Sequence, residues 1–457
     1  MANIKNFLRS KTSGSFIKFS SLIRTSWEVC WPMTFIMFFI FLIGFSDVFV
    51  AGRISKEVQA SYGVVAQMYF IFSIIGFALT VGSVSVISRI FTSSKNDTLH
   101  TAVDSSLMSA AFAGLLLSLA AMIFSRFLIQ SLNIPTVLKG YAVSLMQIYS
   151  FALLFNYVLL NSNGILRACK MIKKSLVTMA VVCLLNIVLN FTLSFLTPLR
   201  FKGIAVATAT STLTGCALNL FFLKRIMTGR FQFSLPVIRK IISIGWPMGL
   251  LQIFWQMAAL VLFLILGALP EHNVEIMAAF TNGLRIEAAI FLPAFAFNMA
   301  AAVVIGNFLG QENKKDAFSG GIVTALLGVV IVSVLTLIIV FNARLVAGIL
   351  SKNEIVIEAC VRYIHITLLF EPVMAWAVIL AGGLNGAGDT RSVMLIAALC
   401  VWLVRVPLSY LLALHFSLGA QAVWWSMNAS ILVQAFFITR RYFSKRWLDH
   451  AHIELTV

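Results

Sequence analysis

The chain has 457 residues, of which 60% are hydrophobic and only 11% charged. Soluble domains carry roughly a quarter charged residues, so with a mean hydropathy of +0.97 water is excluded as its solvent and a lipid bilayer implied. The net charge of +18 would suit a nucleic-acid partner, but the basic residues gather where a membrane protein faces the cytoplasm, and no nucleic acid is expected.

Backbone groups in hydrocarbon must be satisfied internally, which leaves helices or closed barrels. The apolar runs are much longer than the roughly 10-residue alternating strands of a barrel, and the length suits about twelve helices of ~20 residues. The expected class is an all-α integral membrane protein. In chain order the expected spans fall near 31–52, 60–88, 103–125, 139–162, 176–198 and 203–223. After a basic connector they resume near 243–269, 278–309, 318–342, 362–384, 392–414 and 419–439.

The basic N-terminus runs into the first apolar span with no small-residue cleavage site, so it reads as a retained helix rather than a signal peptide. If that end lies inside, most of the 34 Lys and Arg fall on inside segments. They include Lys5, Arg9, Lys11, Lys18 and Arg24, then Arg167, Lys170, Lys173 and Lys174. Lys224, Arg225, Arg230, Arg239 and Lys240 follow, with Arg440, Arg441, Lys445 and Arg446 at the end. This bias places both termini in the cytoplasm. The six cysteines stand singly, mostly within apolar runs. They show no metal-ligand spacing and read as small core residues.

Two halves share short stretches in the same order. Trp31-Pro32-Met33 opens the first and Trp246-Pro247-Met248 the second. Gly164 to Ser175 has its counterpart in Gly382 to Ser392, and Gly203-Ile204-Ala205-Val206-Ala207 in Gly419-Ala420-Gln421-Ala422-Val423. Six helices per half put both in the membrane in the same sense, as parallel repeats about an axis along its normal. The expected division is an N-terminal lobe over 1–225, a cytoplasmic connector over 226–242 and a C-terminal lobe over 243–457. Gly245 and Gly249 are spaced for a close helix approach.

The chain resembles the multidrug and toxic compound extrusion (MATE) transporters over nearly its whole length. The resemblance lies in the two Trp-Pro-Met openings, Ser46–Gly52, Gly164–Ala168, Asn186–Asn190 and Gly203–Thr208. In the second half it lies in Arg285-Ile286-Glu287 with Pro293, Gly306–Gln311 and Leu384–Arg391. It implies a twelve-helix, two-lobe exporter in the plasma (inner) membrane, monomeric and without a cofactor. Such a protein expels amphipathic or cationic small molecules in exchange for protons or sodium ions.

Asp47 lies late in an otherwise uncharged first span. A carboxylate at a helix centre costs ~2.5–3.5 kcal/mol on insertion scales, so an intramembrane acid is a functional candidate. Asn186 and Asn190 are four apart and share one face of the fifth helix. Their carboxamides suit a carboxylic acid or a hard cation, and Thr208 adds a hydroxyl. Related prokaryotic transporters place a coupling site at positions matching Asp47, Asn186, Asn190 and Thr208, where a sodium ion at Asp47 is the one metal to consider. The family pattern often has aspartate where this chain has Asn190, which removes negative charge and favours protons.

Glu287, Arg285 and Glu371 are candidates for a gate or for the cleft lining. Positions two apart face different ways, so Arg285 and Glu287 need not pair. Glu371-Pro372 lies inside the tenth span, and proline frees the carbonyl four residues back, as do Pro293 and Pro407. The seventh-helix glutamate of some branches is absent from Ile253–Met257, so a cation site of that kind in the second lobe is not expected. The 39 Phe and 17 Met suit a broad apolar pocket without identifying its lining. The alternative is a lipid-linked oligosaccharide flippase of the same superfamily, which would line its cleft with many basic residues. This chain offers Arg285 and Arg405, with few others at membrane depth. An enzyme would need converging His, Asp, Glu or Ser groups, and no such motif is present.

Overall fold

The computed structural model describes residues 2–93, 98–132, 134–227 and 232–451, with side chains from Ser20 to Asp449 within those limits. Of the basic residues named above, the side chains of Lys5, Arg9, Lys11 and Lys18, and the whole of Arg230, lie outside it. Among the described residues the regular structure is helical, with no strand.

Among the described residues twelve helices are long and apolar enough to cross a membrane. The first six are α1 (Ser20–Ile54), α2 (Lys56–Thr92), α3 (Leu99–Ser131), α4 (Thr136–Ala168), α5 (Ile172–Phe195) and α6 (Lys202–Leu223). The second six are α7 (Leu235–Gly267), α8 (Asn273–Gly310), α9 (Lys314–Phe341), α10 (Glu354–Gly386), α11 (Thr390–His415) and α12 (Ala420–Phe443). All twelve expected spans are present, most of them longer than hydropathy indicates. Caps and polar residues set the ends, not the edge of the apolar run. Ser55 alone separates α1 from α2, and its Oγ accepts from the Val58 N–H at 3.2 Å. Asn313 and Asn353 accept likewise from Asp316 N (3.1 Å) and Ile355 N (2.9 Å), satisfying first-turn donors that have no partner within the helix. A short helix at Ala343–Leu350, between α9 and α10, is not foreshadowed by hydropathy.

Prolines leave their mark. The stretch Leu368–Phe370 tightens to a 3₁₀ turn immediately before Glu371-Pro372, at the carbonyl the proline leaves without a donor. Around Pro407, α11 widens to π-type turns at Cys400–Arg405 and Leu411–His415. Pro32, Pro247 and Pro293 lie inside α1, α7 and α8.

The chain forms two compact units. One is Phe35–Gly249; the other joins the stretch ending at Thr34 to the chain from Leu250 onward. Both crossings fall just after a Trp-Pro-Met motif, inside α1 and α7, rather than in the connector.

In the first unit, three consecutive residues of α4 tie it to three neighbours. Asn161 donates to the Ser106 carbonyl (2.9 Å) and hydroxyl (2.8 Å) on α3. Ser162 accepts from Asn219 of α6 (2.9 Å), and Asn163 Oδ1 from Ser175 of α5 (2.8 Å). With apolar lipid outside, such bonds and close packing, rather than water exclusion, hold helices together. Gly245 of α7 lies so near the Ala78 carbonyl of α2 that an added Cβ would stand 2.2 Å from it, as its spacing with Gly249 predicts.

The second unit repeats the close-approach device. An added Cβ at Gly382 of α10 would lie 2.1 Å from the Asn298 carbonyl of α8. Asn298 in turn donates to the Val378 carbonyl at 2.6 Å. The first stretch of α1 joins this unit through Thr324 of α9, whose Oγ1 donates to Ser26 Oγ at 3.1 Å. All six cysteines are buried free thiols, as their isolation in apolar runs predicts.

Candidate ion-coupling site

Asp47 is buried on α1, 3% exposed. Four donors from four other helices close on its carboxylate. Asn190 Nδ2 of α5 donates to Oδ1 at 2.5 Å. Tyr62 of α2 (3.2 Å), Tyr149 of α4 (3.3 Å) and Thr208 of α6 (3.2 Å) donate to Oδ2. The four-residue spacing of the fifth helix does what it predicts, since both asparagines face inward and are fully buried. Asn190 Nδ2 also reaches Asn186 Oδ1 (3.2 Å) and, more weakly, Ser46 Oγ (3.4 Å). Asn186 Nδ2 then donates to Thr208 Oγ1 at 3.2 Å, which closes a ring through Asp47. Asn190 Oδ1 alone is buried with no hydrogen-bond partner.

The structure therefore brings Asp47, Asn186, Asn190 and Thr208 together. It adds Tyr62 and Tyr149, whose rings meet edge to face at 6.3 Å. A tyrosine buried in an apolar span must find a partner for its hydroxyl, and that was the one available signal for both. No salt bridge reaches Asp47 among the described residues, so donor hydrogens alone balance its charge. Each hydrogen bond to a charged group contributes about 1.5–3 kcal/mol, against several kcal/mol for burying an ion. The carboxylate oxygens, Thr208 Oγ1, Asn186 Oδ1 and the unpartnered Asn190 Oδ1 are the oxygens a cation could use, but the groups touching the carboxylate all present hydrogens to it.

The second unit holds its own charged group. Glu287 of α8 accepts from the Tyr363 hydroxyl of α10 at 2.7 Å. Glu371, on the segment of α10 after the 3₁₀ turn, is fully buried; neither of its oxygens has a hydrogen-bond partner. It lies close enough to Glu287 for the two carboxyl groups to act on each other. Arg405 of α11 donates Nε–H to Ser430 Oγ at 2.8 Å and lies 5.8 Å from the Trp255 ring centroid. Arg285 is exposed and joins none of these contacts. Glu287 and Glu371 thus meet, while Arg285 points elsewhere, as the two-residue offset predicts. Trp255 occupies the seventh helix where an acid is absent, and Glu287 on α8 faces the same cavity.

The family model described as MatE matches residues 32–192 and 247–411. A probable multidrug resistance protein NorM of Thermotoga maritima is 21% identical over 427 residues, covering 90% of each chain. One of Pasteurella multocida is 23% identical over 418 residues, covering 86% of this chain and 88% of the relative. Among solved structures, the outward-facing conformation of a multidrug resistance MATE family transporter is similar, with a TM-score of 0.87 and 18% identity. That match covers 93% of this chain and 97% of the other. The two matched stretches begin at Pro32 and Pro247, each within a Trp-Pro-Met motif, and together span most of both halves; the chain belongs to the MatE family and is a membrane transporter, not an enzyme.

Proposed function

We propose that the chain is a secondary-active multidrug exporter of amphipathic or cationic compounds, driven by protons entering through Asp47. The relatives' names, which describe multidrug resistance proteins, support the export of drugs. The observation that carries proton coupling is the shell of Asp47, which among the described residues holds one carboxylate, no second acid and four donors. Donors aimed at an anion stabilise it without a metal ion, whereas sodium needs oxygens.

Protonation of Asp47 cancels the charge that holds these donors. Asn190 has an idle Oδ1, so a half-turn of its amide lets it accept from the new carboxylic acid. The neutral and charged cycles of the site thereby favour different arrangements of α1, α5 and α6. A proton drives transport only if it binds outward- and inward-facing states with different affinity. One charge crossing the membrane contributes about 2.3 kcal/mol per 100 mV. The protein works as a monomer in the plasma membrane, with both termini in the cytoplasm.

The test is export of a fluorescent cationic dye from proteoliposomes under a proton or a sodium gradient imposed separately. The proton gradient should drive export by the wild type, and Asp47→Asn should abolish it. Export driven by sodium alone would assign the site to sodium. No export under either gradient would remove drug efflux as the function.

A further inference from the structure

The chain has no Asp or Glu between Asp104 and Glu271, a stretch that carries thirteen Lys and Arg. Five of these gather at one end of the α5–α6 pair, within the first unit. Lys170 lies just before α5, Lys173 and Lys174 lie in its first turn, and Lys224 and Arg225 follow the end of α6. The two sets meet, since Lys174 Nζ stands 5.5 Å from the ring centroid of Phe222. Lys170, Lys173 and Lys224 are exposed, and among the described residues none of the three forms an ion pair. In the second unit the basic residues at helix ends are matched instead. Lys314, which opens α9, pairs with Asp449 at 2.9 Å, and Arg441, near the end of α12, with Asp389 at 2.6 Å. The unmatched lysines also head two apolar stripes. Lys173 is one turn from exposed Val177, and Leu184 and Val188 continue that face of α5. Lys224 is one turn from exposed Leu220 and Phe221 on α6.

We propose that this end of α5 and α6 binds an anionic phospholipid, its phosphate held by Lys173, Lys174 and Lys224 and an acyl chain laid along Val177 and Phe221. Exposed apolar side chains on a membrane-spanning helix face hydrocarbon, and the lysines stand where that surface ends. Their stems can run along it while the ammonium groups reach headgroup level. Like charges crowded together without an acid repel one another, and a bound anion relieves that repulsion. Each lysine close to an anionic membrane surface strengthens attachment about fivefold. A nucleic acid or an acidic protein would match the charge but leave the apolar stripes beneath it without a partner. The lipid binds the two helices that supply Asn186, Asn190 and Thr208 to the Asp47 site. Neither the cargo nor the coupling ion enters this inference, which goes beyond the export reading without resting on it.

Native mass spectrometry of the purified protein, titrated in detergent with phosphatidylglycerol or with phosphatidylcholine of the same acyl chains, reads the affinity for the first lipid bound. Phosphatidylglycerol should bind at least tenfold tighter. Lys173→Gln combined with Lys224→Gln should remove most of that margin. Arg200→Gln combined with Lys202→Gln deletes as many charges at the other end of the α5–α6 pair and should leave the margin intact. Lys173→Arg combined with Lys224→Arg keeps the charge and should keep the margin, which separates loss of charge from loss of fold. Equal affinity of the two lipids for the wild type, an undiminished margin in the Lys173 and Lys224 glutamine pair, or an equal loss in both glutamine pairs overturns the proposal. So does displacement of the lipid by glycerol 3-phosphate at equal concentration, which would make the patch a site for free phosphate.

Discussion

Asn190 Nδ2 stands 2.5 Å from Asp47 Oδ1, the shortest of the four contacts that hold this carboxylate. It links α5 to α1 across 143 residues of sequence. Removing it should be felt in pH dependence before it is felt in folding. A donor to a carboxylate favours the anion, so Asn190→Ala favours the acid and makes proton release harder. One such bond, about 1.5–3 kcal/mol, corresponds to about 1–2 pH units at 1.36 kcal/mol per unit. Half-maximal export in proteoliposomes should move to more alkaline pH by that amount. An unmoved profile would take Asn190 out of the coupling site.

Asn190→Asp makes the converse change. It replaces the donor that touches Asp47 with a second carboxylate and supplies the anionic oxygens a hard cation prefers. Sodium should then stimulate dye export by the substituted protein while leaving the wild type indifferent. Isotope uptake of sodium by the two proteins reads this directly.

Tyr62 and Tyr149 each lend Asp47 one hydroxyl, at 3.2 and 3.3 Å. Tyr→Phe at either keeps the ring contact and removes a donor to a charged group, at a cost of about 1.5–3 kcal/mol. Export at fixed gradient should fall about 10- to 150-fold for each. The double substitution should depart from the product of the singles, because both hydroxyls meet the same oxygen.

Two glycines separate packing from helix propensity. Gly382→Ala places a methyl against the Asn298 carbonyl, whereas Gly44→Ala meets nothing within 4 Å. The first forces α8 and α10 apart, at about 1–3 kcal/mol for overpacking. The second gains about 0.5–1 kcal/mol from the better helix former. Thermal-aggregation midpoints of the purified proteins should therefore fall by several degrees for Gly382→Ala and hold or rise for Gly44→Ala.

The helices were legible because each is a long apolar run. Asn186 with Asn190 were legible because two amides four apart on an apolar helix must find their hydrogen bonds on one shared face. Tyr62 and Tyr149 were not, since an aromatic ring in an apolar span looks like ordinary packing until its hydroxyl is placed. Glu287 and Glu371 were visible singly as acids at depth. Their meeting depends on how α8 packs on α10, which spacing along the chain does not encode. Helix ends were underestimated at α4 because its last turns carry Asn161, Ser162, Asn163 and Arg167, polar residues that lower hydropathy while being buried, the first three of them bonded to neighbouring helices.

The bond between Ser26 and Thr324 joins residues 298 apart in the chain. The first stretch of α1 belongs with helices that are made last. At a translation rate of about 5–20 residues per second, α9 emerges on the order of 15–60 s after Ser26. During that interval Ser26 lacks the partner it has on α9, while Phe35–Gly249 can already assemble. The stretch around Ser26 thus waits for its unit while the rest of α1 is already engaged, and a membrane chaperone would find it there.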